Sequence, residues 1–405
     1  MFQDMDEEMQ KRNLDGAIVF GDTTLGNPDL TYVVGGNLAR GGFYVKRFRH
    51  EPLLVTSNLD LGTAKKLRRV HRVSTYSQWG LEKLAERYGR ANAHPHLLAT
   101  ILKKEGIDGK IGLYGRNDLS SGVRLVDKLR KLGIKVVGES SPTLLESVRE
   151  TKSPEEVQEL CRVAQKTANV VNAVMSRLRN IRRKRNRLLL DNRPATIGAV
   201  KRLITKGLAT EDLIAPEGTI FAIGASSADP HNSGNPNDMI KDGKPIVFDI
   251  FPQAESGYWF DLTRSFVLGR GDKKFRHMFE TVLEAQKESL DFLKEGVSGE
   301  QAMQMACRVM EKRGYRTVRE IFDGKTKSIT SGFTHSLGHG VGLTIGERPY
   351  LTFLSKDPLR AGAVVTVEPG IYRPRYGGVR IEDTVVITNR GVTYLAVVDR
   401  EVELT

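Results

Sequence analysis

Cysteine is nearly missing: Cys161 and Cys307 are the only two in 405 residues. That excludes a disulfide framework and a thiolate metal site, and it fits the cytoplasm as the expected compartment. Long hydrophobic runs are missing too. Nothing approaches the roughly 18 continuous apolar residues that a spanning helix needs, so no membrane association is expected. Residues 1–8 are acidic and lack the basic-then-apolar layout of a secretory leader. The first 145 residues carry neither GxGxxG nor GxxxxGK[ST], which removes the usual glycine-rich phosphate cradles.

What remains is an ordinary balance of 39% hydrophobic and 27% charged residues, with a net charge of +13. At this length two domains are the natural expectation. The positive charge raises the question of nucleic acid. The basic residues are spread along the chain, apart from Arg177, Arg179, Arg182, Arg183, Lys184, Arg185 and Arg187. No aromatics interleave that run, so it reads as a solvated helix end and loop, and nucleic-acid binding is not expected.

Strand and helix patterns alternate up to about residue 145. Ala17-Ile18-Val19-Phe20, Leu53-Leu54-Val55-Thr56, Ile111-Gly112-Leu113-Tyr114 and Ile134-Lys135-Val136-Val137 read as strands. Asp60 reads as a helix cap, and Ser120 to Leu132 as a helix stopped by Gly133. This predicts an α/β N-terminal domain over 1–147. His50, His71, His94 and His96 have no ligand spacing and read as surface or loop residues. A boundary follows at Ser153-Pro154-Glu155-Glu156, a capping box with proline at the first helical position. Further helices are expected near 273–293 and 299–313, the second capped by Ser298 with Gln301 and ended by Gly314. The second domain, 148–405, is predicted to be α+β, with helices on a sheet whose other face holds the site.

Acidic residues sit where strands should be apolar. Asp249 ends the run from Pro245 to Ile250, and Asp261 follows Tyr258-Trp259-Phe260. Glu368 follows Val364-Val365-Thr366-Val367, and Glu382 precedes Val385-Val386-Ile387. Buried carboxylates are costly unless paired or coordinated. Four of them with His339 point to a cluster held by metal. A hairpin through Glu255-Ser256-Gly257 is expected to face Asp249 across to Asp261. A second, turned at Pro369-Gly370, is expected to face Glu368 to Glu382. Arg380 and Asp383 flank Glu382 as candidates to orient it. In Thr334–Tyr350, glycine density opposes the helical HExxH arrangement.

These segments resemble the pita-bread metallopeptidases, the family of prolidase, aminopeptidase P and methionine aminopeptidase. The shared patterns are Y-x-x-D-x-T-R, H-x-x-G-H-x-x-G, V-x-E-P-G and R-x-E-D, and all four occur here in order. The N-terminal half resembles the creatinase/prolidase-type domain through Leu14-Asp15-Gly16-Ala17 and Asn27-Pro28-Asp29-Leu30-Thr31-Tyr32, which favours the prolidase and aminopeptidase P branch.

The resemblance implies two divalent cations, Mn²⁺ or Co²⁺ first, with Zn²⁺ or Fe²⁺ as other choices. Asp249 would chelate one, Asp261 and Glu382 would bridge, and His339 and Glu368 would complete the second. A metal-bridging hydroxide would attack the peptide carbonyl, with Glu368 as proton shuttle. His335 would stabilise the oxyanion or hold the carbonyl, and His231 would lie on the substrate side. The implied function is cleavage of Xaa-Pro peptides, as an Xaa-Pro dipeptidase or aminopeptidase P-like enzyme and a homodimer. Two departures stand out. The Asp249–Asp261 spacing is one residue longer than the commonest pattern, with the extra residue expected in the turn. A substrate-side histidine is replaced by Gly346, which puts Xaa-Pro specificity in question. Alternatives are a catalytically silent binding module of the same fold, or a peptidase of different N-terminal specificity.

Overall fold

The protein, seen as a computed structural model, is described over residues 2–184 and 187–405. It divides into two compact units, Met1–Arg149 and Glu150–Thr405.

The first unit is built on a six-stranded mixed sheet. Its order is Arg72–Thr75, Leu53–Thr56, Gly42–Arg47, Gly16–Gly21, Lys110–Gly115, Lys135–Val137. Strand Gly16–Gly21 runs antiparallel to Gly42–Arg47 and parallel to Lys110–Gly115. The β-branched runs form the strands, and helix Arg90–Lys104 buries Leu97, Leu98 and Ile101 in the same core as Ile18, Val45, Val55 and Ile111. Helix Leu119–Lys131 is capped by Asp118, whose side chain accepts from Ser121 N. One local expectation needs correction. Asp60 precedes a short helix but makes no side-chain cap; its carboxylate accepts from Arg40 N instead. His94 and His96 lie on helix Arg90–Lys104, with His94 exposed at the surface. His96 stacks on Tyr88 at 3.7 Å, and His94 sets its edge against Phe43 and Tyr76.

In the second unit the capping signals act as the residues dictate. Ser153 and Glu156 close a capping box on helix Pro154–Arg179, and Ser298 with Gln301 does the same for Gly299–Lys312. Two sheets carry the polar centre. One has the order Thr219–Ile223, Ile246–Ile250, Leu262–Leu268, Glu403–Leu404. The other has the order Ile345–Leu351, Gly338–Val341, Val364–Val367, Asp383–Ile387, Val392–Tyr394.

Strand periodicity sorts their side chains. Ile246, Phe248, Ile250, Leu262 and Phe266 share a core with helices Pro154–Arg179 and Ile197–Thr210. The alternate positions Asp249, Asp261, Thr263 and Ser265 fall on the opposite face. In the other sheet Val365, Val367, Val385 and Ile387 pack with helices Lys273–Phe292 and Gly299–Lys312. Thr366, Glu368, Glu382 and Thr384 alternate with them. Helices therefore cover the outer faces of two sheets, where the sequence pattern predicts one.

The basic run departs from its expected form. Arg177 and Arg179 end the long helix, but Arg182–Lys184, Arg187–Leu190 and Arg193–Pro194 form a small antiparallel sheet. Arg185 lies outside the described residues. The segment alternates, with Leu188 and Leu190 buried and the cations exposed. Arg177 pairs with Asp191, Arg179 with Glu401 and Arg183 with Asp242, so acidic neighbours offset part of the charge.

Candidate metal centre

The hairpin from Ile246 to Leu268 carries both aspartates. Its register is continuous, with Asp249↔Thr263 and Ile250↔Leu262, then Gln253↔Trp259. Gly257, at φ +88°, closes the turn in the left-handed region that glycine tolerates. Asp261 therefore stands diagonal to Asp249 on one face, two positions from its direct partner Thr263. The expected head-on pair is corrected by this register.

The two glutamates do stand opposite each other. The pairs Val367↔Asp383 and Gly370↔Arg380 bracket them and set Glu368 against Glu382. Strand Gly338–Val341 lies beside Val364–Val367, and Glu368 N donates to Leu337 O at 2.8 Å. His339 is thus brought to the same centre. Its Nε2 is 3.5 Å from Glu368 Oε1 and 3.6 Å from Asp261 Oδ2. Asp261, His339 and Glu382 offer ligand atoms that all lie within 4.8 Å of one another.

The electrostatics are those of an acidic cluster short of positive charge. Asp261 is raised well above the usual carboxylate range, first by burial, then by Glu382, Asp249 and Glu368. Glu382 is raised likewise, by burial and by Glu368 and Asp249. Burial pushes Glu368 up to about 7 despite the opposing Arg380, with Asp249 adding to the rise. Asp249 Oδ1, Asp261 Oδ1 and Glu382 Oε1 are buried without a hydrogen-bond partner. Orphaned carboxylate oxygens at this depth are what a hard divalent cation satisfies. The donor set, rich in oxygen with one imidazole, fits divalent metal ions.

Around the cluster runs a chain of hydrogen bonds. Arg380 Nη2 donates to Asp249 Oδ2 at 2.6 Å, and Nη1 to Tyr372 Oη at 2.9 Å. His335 Nε2 lies 2.9 Å from Tyr372 Oη, and Nδ1 lies 2.7 Å from Ser336 O. A carbonyl only accepts, so Nδ1 carries the hydrogen. Nε2 then accepts from the tyrosine. Burial, with Arg380 and His231 adding to it, holds His335 down to about 3. The ring is neutral. His231 itself is exposed, and the preceding Pro230 O accepts from Arg380 Nη1 at 3.2 Å.

Neither residue expected to orient Glu382 hydrogen-bonds its carboxylate directly; Arg380 reaches it through Thr263 Oγ1, which accepts from Arg380 Nε at 3.2 Å and donates to Glu382 Oε2 at 2.7 Å. Arg380 pairs with Asp249, as above. Asp383 turns away and binds Arg264 at 2.7 Å and Arg400 at 2.6 Å. Glu382 is held instead by Thr263, and Thr366 supports both His339 N and Glu368 Oε1. Thr263 was visible inside the Y-x-x-D-x-T-R pattern without a role. Tyr372 carries no comparable signal, since one strand tyrosine is ordinary. Gly346 sits at the bulge between Gly340↔Glu347 and Val341↔Ile345. It is exposed, with φ +75°.

Residues 158–389 match the model of metallopeptidase family M24. The chain belongs to that family. Family membership implies divalent metal ions, in line with the donor set. The chain is 38% identical over 183 residues to an Xaa-Pro dipeptidase of Pyrococcus furiosus, a match covering 45% of this chain and 48% of that protein. It thus spans about half the length of the relative it matches. The solved prolidase of Pyrococcus horikoshii OT3 superposes with TM-score 0.75 and 26% identity over 99% of each chain. The X-Pro aminopeptidase of Thermotoga maritima superposes with TM-score 0.75 and 22% identity, covering 98% of this chain and 99% of that one. This M24 member has the two-part fold of those neighbours, an α/β N-terminal part followed by a pita-bread part. No helix among the described residues is long and apolar enough to cross a membrane.

Proposed function

We propose that the protein is a dinuclear-metal-dependent peptidase that hydrolyses Xaa-Pro bonds. The observation that carries the reading is the convergence of Asp249, Asp261, His339, Glu368 and Glu382, three of them with orphaned buried oxygens. The named activity of the P. furiosus relative supports the substrate class. Asp249, Asp261, His339, Glu368 and Glu382 would together hold two cations. Mn²⁺ or Co²⁺ suits this oxygen-rich set best. When bound, such cations polarise a substrate carbonyl and activate water near neutral pH.

The chain's own groups do the rest. Glu368 takes a proton from the attacking water and delivers it to the departing nitrogen. Arg380 fixes Asp249 and the Tyr372 hydroxyl. His335, proposed to serve the substrate carbonyl, has a bare Nε2 while Nδ1–H is held by Ser336 O, so stabilising an oxyanion requires a proton on Nε2, and the Tyr372 hydroxyl that already donates to it is the source. His231, exposed beside it, meets the substrate from outside. A prolyl nitrogen lacks a hydrogen, and the glycine at 346, where the resemblance implies a substrate-side histidine, makes the Xaa-Pro preference the part of the proposal that the peptide panel has to test. We further propose residues 1–147 and 148–405 as the functional domains, a homodimer, and the cytoplasm as compartment.

The test is hydrolysis by chelator-stripped protein, with Xaa-Pro and Xaa-Ala peptides and added Mn²⁺, Co²⁺ or Zn²⁺. Metal-restored cleavage that prefers Xaa-Pro is the expected result. Two bound metals with no cleavage of any peptide would overturn the peptidase reading.

A further inference from the structure

Behind the acidic cluster lies a second buried polar network that never touches the orphaned oxygens. Arg264 is 2% exposed, and it makes five hydrogen bonds. Nε donates to Asp399 O at 3.1 Å. Nη1 donates to Thr263 O at 2.9 Å and Glu382 O at 2.6 Å. Nη2 donates to Asp383 Oδ1 at 2.7 Å and Val398 O at 2.8 Å. A guanidinium has five N–H groups, so the inventory is full.

Asp383 is 1% exposed, and its other oxygen is filled as well. Oδ2 accepts from Gln286 Nε2 at 2.9 Å and from Arg400 Nη2 at 2.6 Å. The same Gln286 amide nitrogen reaches Val367 O at 3.1 Å and Ile381 O at 3.2 Å. Val367 directly precedes Glu368, and Ile381 directly precedes Glu382. The network therefore grips main-chain carbonyls within two residues of Asp261, Glu368 and Glu382.

Carboxylates packed this closely repel when ionised, so holding them around one centre depends on the main chain that bears them staying in place. Main-chain bonds to a charged guanidinium resist it, being stronger than neutral ones. Arg400 closes the frame from outside. Its side chain is 28% exposed and lies over the Tyr394 ring.

We propose that Arg264, Asp383, Gln286 and Arg400 are positioning residues that set the metal affinity of the centre by fixing the main chain of its ligand-bearing strands. The proposal rests on the metal-centre reading above. The segment around residues 398–400, which lies outside the four motifs, is then part of the metal-binding apparatus.

The experiment is calorimetric titration of chelator-stripped full-length protein with Mn²⁺, alongside melting temperature and kcat at saturating Mn²⁺. Arg400→Met is expected to weaken Mn²⁺ binding by about tenfold or more, with Arg400→Lys recovering most of it. Gln286→Leu provides the same reading from the other side of Asp383, should Arg400→Met fold poorly. Ile204→Ala, a core truncation under the opposite helix layer, controls for general softening and is expected to bind Mn²⁺ as the parent does. Unchanged affinity in Arg400→Met and Gln286→Leu, with the parent binding two ions, would overturn the positioning role and leave the metal centre standing. An equal loss in Ile204→Ala would overturn it too. A parent that binds no Mn²⁺ would overturn both readings.

Discussion

Thr263 holds Glu382 at both ends. Glu382 N donates to Thr263 O at 3.1 Å, and Thr263 Oγ1 donates to Glu382 Oε2 at 2.7 Å. The same hydroxyl accepts from Arg380 Nε at 3.2 Å. One side chain thus aims a carboxylate, leaves its Oε1 unclaimed, and ties it to the arginine that pairs with Asp249. Thr263→Val keeps the shape and removes the hydroxyl. It is expected to lower stability by about 1–3 kcal/mol, the cost of an unsatisfied buried partner, and to weaken Mn²⁺ binding about tenfold. Melting and calorimetry read the two effects separately; parental Mn²⁺ affinity would argue against the hydroxyl's aiming role.

Glu382→Gln separates cost from use. In chelated protein it removes one member of a set of mutually repelling buried carboxylates, so the melting temperature is expected to rise. The same change removes a proposed metal ligand, so metal-dependent hydrolysis is expected to vanish. A lower melting temperature under chelator would show that repulsion does not dominate the empty cluster.

The pH dependence has a definite sign. Asp261, Glu368 and Glu382 all have folded values raised above the ordinary carboxylate range, Glu368 to about 7. The folded state therefore holds protons that the unfolded chain has released. Their contribution is fully present below the unfolded carboxylate range, near pH 4, and is lost as pH rises through the folded values. Chelated protein is expected to lose stability from about pH 4 to at least 7. Metal binding requires the ionised forms, so the stabilisation by Mn²⁺ should grow over the same range. Melting curves with and without Mn²⁺ between pH 5 and 8 test this, and a gap that narrows with rising pH would count against it.

Gly346 has open space where a Cβ would stand, but its φ is +75°. Strain, not collision, limits substitution there. Gly346→Ala is expected to cost about 1–2 kcal/mol, and Gly346→Asn less, since asparagine tolerates the left-handed region. A histidine placed here meets the same backbone penalty, so its effect on the Xaa-Pro to Xaa-Ala ratio of kcat/KM must be read beside its melting temperature. Equal stability of the Ala, Asn and parent forms would remove the backbone argument.

Much of the site was legible as residues out of place. Carboxylates inside β-branched runs stand out because strand period two leaves them either exposed or paired, and four such cases with His339 marked a cluster. The capping boxes at Ser153 and Ser298 were legible because they are complete within four residues. The Asp249–Asp261 geometry was not, because a two-position offset depends on the exact register of a hairpin. The basic run reads as a helix end and loop because charge pattern alone does not reveal that Leu188 and Leu190 turn inward as a strand.

Local order in the chain therefore determined the helix starts, the two hairpins and the identity of the acidic and imidazole groups, because each depends on neighbours a few residues apart. Tertiary structure alone decided which groups hold which. Arg380 reaches Asp249 across 131 residues, Thr263 reaches Glu382 across 119, and Arg264 reaches Val398 across 134. No periodicity encodes contacts at such separations; they arise only when two sheets, each covered by its own helices, bring their polar faces together.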